Sequence, residues 1–179
     1  VGAANTLTTV AGIPFYQGDA GSIYTHNVSG TDSTAINNTA YGLTAMDAIT
    51  TGDNNTALGF LAMSANNTGA QNVSVGSKSL ENNTDADGNT SVGYTALRAN
   101  TTGDYNVAVG ADALTANTTG TRNIAIGAFA YDASDTENDN LAIGYQAMTT
   151  DTAGGTGNLA IGNYALDALT SGDYNTAVG

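Results

Sequence analysis

Among the side chains that most often carry out chemistry, the 179-residue chain holds one histidine, three lysines and arginines, and no cysteine. His26 lies in Tyr24-Thr25-His26-Asn27, where no Ser, His and Asp grouping can be recognised from sequence order, and it reads as a surface or capping histidine. Gly154-Gly155-Thr156-Gly157 has the glycines of a phosphate loop without its closing Gly-Lys-Ser/Thr, and reads as a turn. With no cysteine, disulfide and thiolate chemistry are absent. The chain is therefore expected not to be an enzyme.

The acids could hold an ion. Asp53, Asp87, Asp104 and Asp173 recur at turn positions that stacking would align, and Ca²⁺ with oxygen ligands would relieve their repulsion. The spacing fits neither an EF-hand loop nor the Gly-Gly-x-Gly-x-Asp repeat, and Ala70 and Thr121 interrupt the column. The default expectation is a solvated acidic face with no cofactor or metal, Ca²⁺ being the one ligand the pattern raises. Against sixteen acids stand only Lys78, Arg98 and Arg122, for a net charge of −13. Such a chain lacks the clustered cations that nucleic acid or an anionic membrane surface needs. No apolar run reaches the roughly 18 to 20 residues of a membrane span.

Rings and hydroxyls remain. Phe60, Tyr94 and Tyr145 each follow a recurrent glycine, Phe129 and Tyr164 stand one place further on, and Tyr105 and Tyr174 fall in turns. Exposed on a rod, Phe60, Tyr94 and Tyr145 could stack on the sugars of a cell-surface glycan or contact a protein receptor. The plainer alternative is that the rings cover edges or pack between chains. Asn66-Asn67-Thr68, Asn100-Thr101-Thr102 and Asn117-Thr118-Thr119 have the form of glycan acceptors, but a chain so rich in Asn and Thr produces them by composition. The pairs Thr101-Thr102 and Thr118-Thr119 do not suit an ice-binding face, since adjacent strand residues point to opposite sides.

What positions these residues is a repeat. Gly42, Gly59, Gly76, Gly93, Gly110, Gly127, Gly144, Gly162 and Gly179 are spaced by 17, with one spacing of 18. Four residues before each stands asparagine: Asn38, Asn55, Asn72, Asn89, Asn106, Asn123, Asn140, Asn158 and Asn175. Between them run a β-former, Ala or Ser, and an apolar residue, as in Asn123-Ile124-Ala125-Ile126-Gly127. Period-2 alternation with β-branched residues predicts a short strand. After the glycine, Ala or Ser at the third place and a large residue at the fourth, as in Ala96-Leu97, predict a second short strand in each repeat. Turns such as Thr101-Thr102-Gly103-Asp104 link the two, and the longer spacing puts its extra residue beside Gly154-Gly155, in a turn.

Seventeen residues are too few for a helix pair or a propeller blade, and fit one coil of an all-β parallel β-roll. Stacked at ~4.8 Å, nine coils make a rod of about 40 Å whose asparagines align, with amides bonding along the ladder. The ladder asparagines and glycines are thus expected to be structural. Residues 38–179 form the rod, and 1–37 a non-repeat segment or capping coil. In that segment Gly21-Ser22-Ile23-Tyr24-Thr25 is a degenerate first coil and Ile13-Pro14-Phe15-Tyr16 a lid over the end. Since the sequence stops on a motif glycine, the rod is expected to continue beyond residue 179.

Each coil offers three sizeable apolar side chains, at one and three places before the glycine and four after it. A core that thin calls for association, and the Ala/Ser row is expected to be the face on which partner backbones approach, closed by cyclic symmetry. The motifs Asn123-Ile124-Ala125-Ile126-Gly127, Asn158-Leu159-Ala160-Ile161-Gly162 and Asn106-Val107-Ala108-Val109-Gly110 resemble the head repeats of YadA-like trimeric autotransporter adhesins, which are also similar to repeats in phage tail fibres. Over roughly residues 38–179 the resemblance implies a left-handed β-roll, a homotrimer and an extracellular role in attachment. The 17-residue length, greater than the usual adhesin head repeat, inclines the expectation toward a viral or other extracellular fibre. The expected function is a non-enzymatic fibre segment, on a virion tail or bacterial surface, that projects an attachment function. The alternative is a head that itself binds glycans or matrix protein.

Overall fold

The computed structural model describes residues 16–17, 23–24, 34–150 and 155–179, and every regular element among them is a strand. Two short strands, β1 (Tyr16–Gln17) and β2 (Ile23–Tyr24), precede the motif strands. These are β3 (Thr39–Tyr41), β4 (Thr56–Leu58), β5 (Val73–Val75), β6 (Thr90–Val92), β7 (Val107–Val109), β8 (Ile124–Ile126), β9 (Leu141–Ile143), β10 (Leu159–Ile161) and β11 (Thr176–Val178). All eleven lie in one sheet in chain order; β1 and β2 are antiparallel and every later pair is parallel. Each strand sits on its counterpart one repeat away, Ala108 against Ala125 and, across the longer spacing, Ala142 against Ala160. The chain is a parallel β-solenoid with one motif per coil. Of the expected degenerate coil, Ile23 and Tyr24 are described, as a strand whose Ile23 pairs in parallel with Thr39. Of the expected lid, Ile13-Pro14-Phe15-Tyr16, only Tyr16, in β1, is among the described residues.

Two expectations need correction. The residues after each glycine form turns, not a second strand. Thr95 and Leu97 have φ of 52° and 54°, Asp112 and Leu114 of 57° and 51°, and the same pair of left-handed residues recurs in the other coils. Two left-handed residues in four curl the chain too tightly for a pleat. Such a conformation costs about 1 to 2 kcal/mol per non-glycine residue. It is offset by bonds to neighbouring coils, where Leu97 N donates to Ala113 O at 2.9 Å and Asp112 N to Tyr94 O at 2.9 Å. The motif glycine has no substitute: Gly93 has φ of +143°, and a Cβ there would collide with the carbonyl oxygen of Gly110 one coil on.

The faces are also reversed from expectation. The middle residue of each motif strand from β3 to β10, Ala40 through Ala160, points inward and is buried, while its two neighbours point out. The coil is narrow. Its interior is filled by the strand Ala/Ser, a second Ala/Ser such as Ala113 or Ala130, one larger side chain (Met46, Met63, Leu80, Leu97, Leu114, Tyr131 or Met148) and buried asparagines. No room is left for two rows of Val and Ile. Serine is accommodated by serine: Ser74 Oγ donates to Ser79 O at 2.7 Å, Ser79 Oγ to Ser91 Oγ at 2.7 Å, and Ser91 Oγ to Ala96 O at 2.7 Å.

Candidate functional site

The motif asparagines stack inside the coil edge and each joins two coils. Asn106 Nδ2 donates to Gly120 O at 2.8 Å, closing the turn of the next coil, and its Oδ1 accepts from Asn123 N at 2.9 Å. Its own N–H donates to Asn89 Oδ1 at 2.8 Å. The same scheme holds from Asn38, whose Oδ1 accepts Asn55 N, to Asn158, whose Oδ1 accepts Asn175 N. The ladder thus runs chiefly from side chain to backbone rather than amide to amide as expected; among the described residues amide pairs form at Asn72 to Asn55 (3.2 Å) and Asn175 to Asn158 (2.9 Å). An unvarying asparagine suits this chemistry, because its amide holds a donor and an acceptor on separate atoms that reach Gly120 O and Asn123 N at once.

A second ladder was not anticipated. Asn66, Asn83, Asn100 and Asn117 are fully buried, and their amides bond to one another at 2.7, 3.2 and 2.8 Å while also donating to turn carbonyls. Their 17-residue spacing was in view, hidden inside the glycan-acceptor pattern. The glycan-bearing nitrogens of Asn66, Asn100 and Asn117 are therefore enclosed in the folded rod. The ladder ends where Ser134 replaces asparagine and Glu137 replaces the turn glycine. The Glu137 carboxylate turns inward and Oε2 accepts from Ser134 Oγ at 2.9 Å and from Asp135 N and Thr136 N at 3.2 Å. Asn117 Oδ1 is left buried without a donor. In that coil Tyr131 replaces the usual Leu or Met, and its hydroxyl accepts from Asn140 Nδ2 at 2.6 Å.

The turn acids are structural links. Ile36 N donates to Asp53 Oδ1 at 2.8 Å, Ala70 N to Asp87 at 2.7 Å, Asp87 N to Asp104 at 2.8 Å and Thr156 N to Asp173 at 2.8 Å. Asn138 takes the same role for Thr121 N at 2.7 Å. The column beside them is matched in pairs: Arg122 and Asp139 form a bidentate ion pair at 2.6 and 2.8 Å on the surface. The Arg122 guanidinium holds the Asp139 carboxyl below its ordinary value. Burial pushes Asp132 up, with a smaller push from Asp112, against a backbone hydrogen bond that lowers it.

Outside the coil run two rows of side chains along the sheet, one apolar throughout and the other Val, Ile and Leu with Thr39, Thr56, Thr90 and Thr176; Val73, Val92, Ile124 and Ile126 are more than a third exposed and several neighbours are half-buried. Phe60, Tyr94 and Tyr145 flank these rows in one column and are exposed, but two and three coils separate them. Tyr145 instead packs edge to face with Phe129 (centroids 6.2 Å apart) and Tyr164 (5.6 Å), which reach it from the next column. His26 lies outside the described residues.

The chain matches no family model, no curated protein and no solved structure.

Proposed function

We propose that the chain is a non-enzymatic segment of an extracellular homotrimeric fibre, a left-handed β-roll that holds an attachment function away from a bacterial or viral surface. The observation that carries this is the apolar outer face. A three-residue strand is about 10 Å wide and nine coils are about 40 Å long, so the face covers about 400 Å² before its flanking rings are added. One of its rows is apolar from Tyr41 to Val178 and the other carries Thr39, Thr56, Thr90 and Thr176 among Val, Ile and Leu; an exposed apolar patch of this size is among the largest a monomer ordinarily shows and is often functional. The face is the same in every copy, so closed symmetry covers it without leaving a sticky side. The number three and the handedness follow the resemblance of the Asn-x-Ala-x-Gly motif to YadA-like heads and tail-fibre repeats.

With no native cysteine, a single introduced thiol reads the covering directly. Ile126 is 39% exposed in the single chain. The variant Ile126→Cys should react with iodoacetamide at least tenfold more slowly than Arg98→Cys on the open surface. Equal rates would refute the covered face and the fibre that depends on it.

A further inference from the structure

Two copies of one surface arrangement lie along a single edge of the rod, and from them we infer a binding site for a neutral, linear oligosaccharide. Gly103-Asp104-Tyr105-Asn106 and Gly172-Asp173-Tyr174-Asn175 repeat a tetrapeptide four coils apart. In the column just before the ladder asparagine, tyrosine stands only at these two of the nine motif copies. Glycine stands only at Gly88 and Gly157, in each case one coil before the tyrosine. Backbone freedom does not account for those glycines, because Asn54, Arg122 and Asp139 adopt the same positive φ there, between 58° and 62°. Room for the ring does. A Cβ on Gly88 would stand 2.7 and 2.8 Å from Cδ1 and Cε1 of Tyr105, and one on Gly157 at the same distances from Tyr174.

Each ring is therefore seated on backbone, and Tyr105, with a coil on either side, is still 61% exposed. Beside each is a carboxylate fixed by one oxygen: Asp104 Oδ1 accepts from Asp87 N and Asp173 Oδ1 from Thr156 N, both at 2.8 Å. No donor among the described residues occupies either Oδ2. A held aromatic face with a fixed acceptor at its side suits a pyranose, whose C–H face stacks on the ring while a hydroxyl donates to the carboxylate. The net charge of −13 repels sulfated and uronic sugars, which leaves neutral ones. At ~4.8 Å per coil the platforms are about 19 Å apart, so one sugar chain lying along the rod reaches both. The site goes beyond the fibre reading and rests on coil stacking alone, so its failure leaves the trimer untouched.

Titration calorimetry and saturation-transfer NMR of the full chain with cellohexaose, maltohexaose and mannohexaose test it, with a heparin-derived hexasaccharide as the anionic comparison. At least one neutral hexasaccharide should bind. Tyr105→Ala or Tyr174→Ala should weaken it about fivefold to tenfold, the value of one stacked ring. The double variant should abolish it, while Tyr105→Phe and Tyr145→Ala leave it intact and circular dichroism unchanged. Absence of binding to all three neutral sugars, preference for the heparin fragment, or binding that survives in a folded double variant would overturn the inference.

Discussion

Asn106→Ala removes a side chain that is fully buried and bonded on both sides. The two lost bonds are not equivalent. Gly120 O keeps a second donor, Asn117 Nδ2 at 3.1 Å, so its loss costs about 0.5 to 1.5 kcal/mol, the net worth of one hydrogen bond. Asn123 N loses its acceptor and stays inside the coil, which costs about 1 to 3 kcal/mol more. The expected destabilisation is therefore about 2 to 4 kcal/mol. Asn82→Ala is the control, since Asn82 lies on the surface at an ordinary φ and its side chain bonds to nothing among the described residues; it should cost under about 0.5 kcal/mol. Asn106→Asp separates donor from acceptor, because it keeps the acceptor for Asn123 N but turns a second oxygen toward Gly120 O. The native state then favours the protonated acid, raising its folded pKa above the unfolded value near about 3.9. Its stability should approach that of the parent below about pH 4 and fall as pH rises through the folded pKa. Because stacked repeats open locally, the assay is native-state amide exchange across β7 and β8, beside global denaturant melts. An Asn106→Ala cost equal to that of Asn82→Ala, or an Asn106→Asp variant insensitive to pH, would refute the ladder as the coil-to-coil link.

Three further outcomes follow from the interior. Ala125→Leu should destabilise by about 1 to 3 kcal/mol in thermal melts, because that position points into a filled coil rather than toward a partner. Ser134→Asn together with Glu137→Gly restores the second ladder and gives Asn117 Oδ1 its donor; the pair should gain about 1 to 2 kcal/mol, whereas Ser134→Asn alone meets the Glu137 carboxylate and should not. Asp132→Asn should stabilise at neutral pH, where burial opposes the charge, and lose that advantage below about pH 4, where the parent is itself protonated.

The period, the strands and the stacking were legible because nine copies of Asn-x-small-x-Gly leave one register open. The faces were not. Alternation in Ile124-Ala125-Ile126 says that Ala and Ile point opposite ways, but which way is in depends on the width of the coil. That width is set by the left-handed turns at Phe129 and Tyr131, which no side-chain preference announces. The same turns explain why Ala130 and Tyr131 are not a strand. The second ladder was hidden because Asn66, Asn83, Asn100 and Asn117 sit in Thr-rich turns that read as loop. The turn acids were equally readable as solvated charge or ion ligands until backbone N–H groups were found on Asp87 and Asp104. Among candidate ligand contacts, spacing alone grouped Phe60, Tyr94 and Tyr145 by column, whereas contact needs neighbouring coils, as at Phe129, Tyr145 and Tyr164.

The central claim is that the Val and Ile rows outside the coils are covered by copies of the same chain, three to a fibre. Sedimentation equilibrium at micromolar concentration measures it most directly. The account predicts a single species of three times the 17.8 kDa chain mass. A folded, stable species of 17.8 kDa, with slow amide exchange in Ile124–Ile126, would contradict it.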